Sequence, residues 1–236
     1  MKKHLPNAIT CMNLFCGCLA IYFSFHGNLV NAAYMVGLAA VLDFMDGMLA
    51  RLLRAYSEIG KQLDSLADMV SFGVVPGVVM FHLIQKALEG ESTFLGLDPS
   101  VFPFIAFVIT IFSALRLAKF NIDTRQTTSF IGMPTPACSI FVCSLPLILA
   151  NDGFGVSGLI LNPYLLGALA LLLSYLLIAE IPLFALKFKN LSWKDNSVRF
   201  IFVLAAALLS ILFGFTAIPF IIALYILLSI IKPSYS

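Results

Sequence analysis

The sequence predicts an all-α, polytopic membrane helix bundle of about eight transmembrane helices, and three observations carry that reading. Of the 236 residues, 61% are hydrophobic and 11% charged, whereas soluble domains carry about 25% charged residues. The apolar character continues along the whole chain in stretches near the ~20 residues that cross a bilayer. Every Lys and Arg except Lys86 falls on one side of the spans so defined, the bias expected of cytoplasmic loops and helix ends.

The spans follow in order. The first, about 5–25, contains Pro6 and Asn13 and lacks a small-residue cleavage site, so it reads as a retained helix and not a removed signal. Spans two and three, about 30–53 and 62–86, are joined by a short linker that should make them antiparallel neighbours. Spans four, five and six are expected at about 101–121, 134–151 and 160–186. The run 200–231 is too long for one crossing and short for two. Gly214, Thr216 and Pro219 break it, and predict a hairpin of short helices at about 198–214 and 216–232. The chain is expected to be one membrane domain over 1–236, with a catalytic core at about 5–186 and the hairpin at about 198–232. Both termini then face the cytoplasm at the cell membrane. The basic stretch 187–194 reads as an interfacial orientation signal with Trp193 at headgroup level. His4, His26 and His82 read as interfacial too.

Cys11, Cys16, Cys18, Cys138 and Cys143 are an odd set inside predicted spans. They suggest no disulfide framework, and are expected to behave as small buried hydrophobes.

Four carboxylates interrupt this apolar background: Asp43 and Asp46 near the inner end of span two, Asp64 and Asp68 at the start of span three. A carboxylate near hydrocarbon costs about 2.5–3.5 kcal/mol even on mild scales, and such residues are functional by default. Spacings of three and four put each pair on one helix face. The short linker should oppose the two faces. Four hard oxygen donors without His or Cys suit Mg²⁺ or Mn²⁺ and disfavour zinc. Like charges this close do not all ionise without a cation. One ion is expected, and the donor number allows two. Gly47 and Ala50 fall on or near the carboxylate face. There they admit either a close ligand or a tightly packed helix. Arg51 suits a phosphate or a topological anchor; the aspartates favour the phosphate. Metal, arginine and small residues at a membrane surface together suggest a lipid-linked diphosphate substrate.

The run Asp43-x2-Asp46-Gly47-x2-Ala50-Arg51-x8-Gly60-x3-Asp64-x3-Asp68 resembles the CDP-alcohol phosphotransferase motif at every defined position. The resemblance implies a multi-span helical enzyme with a six-helix core, usually a homodimer, that displaces CMP from a CDP-linked lipid. It implies that Asp43, Asp46 and Asp64 hold a first metal and that Asp43, Asp64 and Asp68 hold a second, with Asp68 the base. Gly47 and Ala50 would border the cytidine, Arg51 the diphosphate, and Ser57 would be a polar contact to the nucleotide. Pro6-Asn7-x2-Thr10-x2-Asn13 resembles the first-helix pattern lining the nucleotide pocket, with Asn7 and Thr10 as contacts.

Flanking segments are similar to the branch of the family that joins CDP-diacylglycerol to L-serine. They are the run from Asp64 to Pro76, Ala114-Leu115-Arg116-Leu117-Ala118-Lys119-Phe120-Asn121, and Gly132-Met133-Pro134-Thr135-Pro136-Ala137. Serine needs a cation for its carboxylate. Arg116 fits that task, or pairs with Glu180, and Asn121 and Lys119 are expected at the pocket rim. A phosphorylated acceptor, glycerol 3-phosphate or an inositol phosphate, would need more cations than Arg116, Lys119 and Arg125 in this region. A cation-transport path is disfavoured because the acids gather at one end, with only Pro76 to break a helix beyond them. The partners expected are CDP-diacylglycerol, L-serine, the product CMP and membrane lipid, and no nucleic acid.

Overall fold

A computed structural model describes residues 4–55, 57–96, 98–123, 129–184 and 193–231. Arg125 and most of the basic stretch 187–194 lie outside them, as do Lys2, Lys3 and Lys232. Helices dominate. Helix α1 (His4–Phe25) and α2 (Leu29–Leu52) form an antiparallel hairpin turned at Gly27, whose φ is +72°, with Asn28 capping α2. A turn through Arg54, at φ +49°, leads into α3 (Glu58–Asp68), capped by Ser57 Oγ accepting from Gly60 N at 3.0 Å. A π-helical turn, Met69–Val74, joins α3 to α4 (Val75–Ala87) without a break.

That wide turn has a local cause. Pro76 brings no N–H to the helix and its ring crowds the preceding turn, and a π-bulge relieves both. The neighbouring carbonyls find other donors: Ser139 Oγ reaches Ser71 O at 3.4 Å and Thr110 Oγ1 reaches Gly73 O at 3.0 Å.

A 3₁₀ turn, Phe102–Ala106, enters α5 (Phe107–Ile122). Then come β1 (Ser129–Ile131), α6 (Thr135–Asn151), the short α7 (Ser157–Ile160), α8 (Pro163–Ile178) and β2 (Pro182–Phe184). Last are α9 (Trp193–Phe213) and α10 (Ala217–Ile231). Phe202 and Tyr225 bring their rings to 5.7 Å, so α9 and α10 fold back on each other as the predicted hairpin. Among the described residues, five stretches are long and apolar enough to cross a membrane, α9 and α10 counting as one, while α6 and α8 are shorter apolar helices. The fold is a multi-pass helical membrane bundle, its core filled by Phe72, Met80, Leu83, Ile84, Ile109 and Leu166.

Two expectations need correction. Span six is expected to reach residue 186, yet α8 ends at Ile178, because Ala179 is already extended and Pro182 forces extended backbone before it. Within the all-α bundle one short strand pair closes the chain after α8: β1 pairs antiparallel with β2, Phe130 opposite Leu183. Cys11 and Cys18 are exposed on the outside of α1, while Cys16, Cys138 and Cys143 are buried as expected.

Candidate active site

The site is built where α1 packs along both α2 and α3 while the α2 and α3 backbones scarcely touch. The carboxylate faces of α2 and α3 are opposed, as the spacing predicts, and between α1, α2 and α3 lies a cleft of about 270 Å³. Pro6, Asn7 and Thr10 line it from α1, Asp46, Gly47, Ala50 and Arg51 from α2, and Ser57, Gly60, Lys61 and Asp64 from the start of α3. All six residues predicted to contact the nucleotide, Asn7, Thr10, Gly47, Ala50, Arg51 and Ser57, therefore share one cavity.

Small side chains open the cleft. A Cβ on Gly60 would stand 2.9 Å from Ser57 Oγ and 3.0 Å from Asn7 Oδ1, so only glycine lets α1 and α3 close at that point. At Gly47 the missing side chain leaves room for Arg51, whose Nε donates to Gly47 O at 2.9 Å and folds the guanidinium back over the rim. Lys61 brings a second cation to the same cleft, with Nζ 3.4 Å from Asn121 O. The sequence marks Lys61 only as a topological charge, and Ala55, which also lines the cleft, carries no signal there. The cue for Lys61 was its place one residue after the motif glycine.

Asp46 is buried, and Thr10 Oγ1 donates to its Oδ2 at 2.5 Å while also lying 3.1 Å from Pro6 O. One turn deeper, Asp43, Asp64 and Asp68 each present an oxygen within 4.8 Å of the others. Asp68 Oδ1 is buried with no hydrogen-bonding partner. Three carboxylates this close repel one another strongly in a half-buried setting, and an orphaned carboxylate oxygen is the atom a cation would satisfy. The donor set is all oxygen, as a hard divalent ion requires. Of the four predicted ligands, Asp43, Asp64 and Asp68 converge, while Asp46 is held one turn away by Thr10.

The predicted acceptor residues sit differently. Arg116 is buried on α5, its Nε donating to Met133 O at 2.8 Å and its guanidinium 5.4 Å from the Phe120 ring centroid. Glu180 is exposed, and no ion pair joins it to Arg116 among the described residues, so the alternative pairing is not formed. Met133 N in turn donates to Leu176 O at 2.8 Å, and Gly132 N to Ile181 O at 3.0 Å. Arg116 thus ties α5 to the loop threaded between β1 and α6. Asn121 Nδ2 donates to Ser65 Oγ at 2.9 Å, a hydroxyl also 3.2 Å from Lys61 O.

Comparison with known proteins fits this geometry. The family model for CDP-alcohol phosphatidyltransferase matches residues 3–179. A CDP-diacylglycerol–serine O-phosphatidyltransferase of Bacillus subtilis (strain 168) is 35% identical over 165 residues, 68% of this chain and 88% of the relative. One of Helicobacter pylori (strain 26695) is 30% identical over 233 residues, 96% of this chain and 90% of the relative. One of Methanocaldococcus jannaschii is 29% identical over 178 residues, 75% of this chain and 72% of the relative. The match takes in every residue of the cleft and of the carboxylate triad, and the chain belongs to the CDP-alcohol phosphatidyltransferase family.

Proposed function

We propose that the chain is a phosphatidylserine synthase: it transfers the phosphatidyl group of CDP-diacylglycerol to the hydroxyl of L-serine and releases CMP. The observation that carries the reading is the Asp43–Asp64–Asp68 cluster, which meets through Asp64 a cleft also lined by Arg51 and Lys61. That juxtaposition suits a nucleoside diphosphate whose scissile phosphate lies deepest. The names of the relatives point the acceptor toward serine.

Asp43, Asp64 and Asp68, with Asp46 beside them, would hold one or two Mg²⁺ or Mn²⁺ ions, which when bound neutralise the diphosphate oxygens and the departing CMP. Gly47 and Ala50 leave space for the cytidine, and Asn7, Thr10 and Ser57 offer it polar contacts. Arg51 binds the diphosphate from the rim. Asp68 accepts the proton of the serine hydroxyl. The serine oxygen then bonds to the β-phosphorus, the bond from that phosphorus to the bridging oxygen breaks, and CMP leaves with the electron pair. Arg116 receives the serine carboxylate, and Asn121 braces the end of α5 against α3 beside it. The bias of Lys and Arg to one side supports a cytoplasmic position for both termini and the cleft at the cell membrane, and the family resemblance implies a homodimer.

Purified protein given CDP-diacylglycerol, labelled serine and a divalent ion should release CMP and label lipid only when all three are present. Asp68→Asn should lower kcat by about 10²–10⁴-fold, the usual worth of a positioned base, while CDP-diacylglycerol still binds. Absence of serine-dependent CMP release from the wild type refutes the acceptor; an active Asp68→Asn refutes the base.

A further inference from the structure

One polar side chain near the triad is left without a role by the cleft. Asn13 is fully buried on α1, and neither its Oδ1 nor its Nδ2 meets a hydrogen-bonding partner. Burying both ends of a primary amide unpaired is unfavourable unless a group that donates and accepts arrives there.

Two helix registers fix its depth. Helices α1 and α3 run in the same direction, with Asn7 against Gly60 at the cleft, and Asn13 and Gly17 against Ser71 one π-turn beyond Asp68. Asn13 therefore lies level with the last turn of α3. Helices α1 and α2 run antiparallel with Thr10 against Asp46, so one turn deeper Asn13 falls level with Asp43. The lining of the cleft stops at Thr10, Asp46 and Asp64 and does not include Asn13. Across the bundle, Asn121 meets Ser65 and Ser113 packs on Gly73, which sets Arg116 level with Val70. An unpaired amide, the unpaired Asp68 Oδ1 and a buried guanidinium thus occupy one layer, just past the nucleotide cleft.

We propose that Asn13 binds the acceptor amino acid. Its Oδ1 accepts a hydrogen bond from the ammonium group, and its Nδ2 donates to the hydroxyl oxygen, turning the hydroxyl proton toward Asp68. This removes Asn13 from the nucleotide pocket suggested by its spacing to Asn7 and Thr10. A neutral amide matches a zwitterion and adds no cation for a phosphorylated acceptor, so it also contributes to acceptor choice. The inference rests on the serine reading above.

The test uses the full-length purified protein with Asn13→Leu, which keeps the number and branching of the side-chain heavy atoms, and Asn13→Ala. In both, KM for serine should rise by at least about tenfold, and KM and equilibrium binding of CDP-diacylglycerol should stay within about twofold of wild type. A purely structural role would move both substrates together, and that outcome overturns the proposal. So does a serine KM within about twofold of wild type in Asn13→Leu. If the wild type itself transfers nothing to serine, the acceptor reading fails and takes this inference with it; an active wild type with unchanged variants removes only the role of Asn13.

Discussion

The wall of the nucleotide cleft and the flank around Arg116 are both polar regions inside an apolar bundle, but they are assembled in opposite ways. The cleft and the carboxylate cluster beside it are made of consecutive helical turns: Asp43, Asp46, Gly47, Ala50 and Arg51 follow one another on α2, and Gly60, Asp64 and Asp68 on α3. The Arg116 flank is made by distant pieces of chain, with α5, the Gly132–Met133 loop and the end of α8 joined by backbone carbonyls. In the first region the side chains face a cavity and are held for a ligand. In the second, an arginine that could meet a carboxylate is already bonded to a carbonyl of its own chain, so it holds the flank together. The lesson is that local spacing reports on chemistry, whereas long-range closure is built from backbone groups that a sequence does not display.

The sharpest way to break this contrast is at the triad. Asp43 touches both proposed ion sets, so Asp43→Asn should lower kcat/KM by on the order of 10²–10³-fold, the scale for losing one charge-stabilising group. Binding of Mn²⁺ in the presence of CDP-diacylglycerol should fall with it, as read by electron paramagnetic resonance. The same asparagine substitution at Asp46, which accepts from Thr10 and lies outside the tight cluster, should cost less; equal losses at both positions would mean that Asp46 is as central to the ion set as Asp43.

At the Arg116 flank the largest expected effect is on stability, not chemistry. Gly132 has φ +77°, and a Cβ there would stand 2.7 Å from Leu177 O. Gly132→Ala should therefore destabilise the folded protein by about 1–3 kcal/mol, the usual cost of a side chain in a strained backbone position. The check is thermal unfolding in detergent, where the variant should unfold earlier while its surviving fraction keeps a normal KM for CDP-diacylglycerol.

How much of this could be read from the chain alone follows the same division. The four aspartates, the small residues and the arginine were legible because α2 and α3 carry them at intervals of three and four, and because charge in hydrocarbon is costly. The hairpin α9–α10 was legible from Gly214, Thr216 and Pro219. What stayed hidden depended on partners far away in sequence: the β1–β2 pairing, the early end of α8, and the π-turn that Ser139 and Thr110 support from other helices. Lys61 was hidden for another reason, since a cation at a membrane surface already has an adequate explanation in topology.

A smaller effect is expected at Gly60, where cleft and helix packing coincide. Its replacement by alanine pushes against Ser57 Oγ and Asn7 Oδ1, two cleft-lining side chains that must turn away from their present positions. KM for CDP-diacylglycerol should rise about tenfold, equivalent to ~1.4 kcal/mol, with kcat and the KM for serine little changed. A matching rise in the serine KM would show that the cleft and the acceptor layer move as one body.

The smallest effect tests the acceptor flank itself. Asn121 was expected at the rim of the serine pocket, yet its amide is engaged by Ser65 Oγ at 2.9 Å and its carbonyl lies 3.4 Å from Lys61 Nζ. Those contacts tie the end of α5 to the first turns of α3, a bracing role. Asn121→Ala should then cost about 0.5–1.5 kcal/mol of stability, the net worth of one such hydrogen bond, and leave the KM for serine within about twofold of wild type. A rise of about tenfold or more in that KM with unchanged unfolding would return Asn121 to the acceptor pocket. The pocket would then extend from Asn13 past Asp68 to the end of α5, and the flank would join the cleft as part of the binding surface.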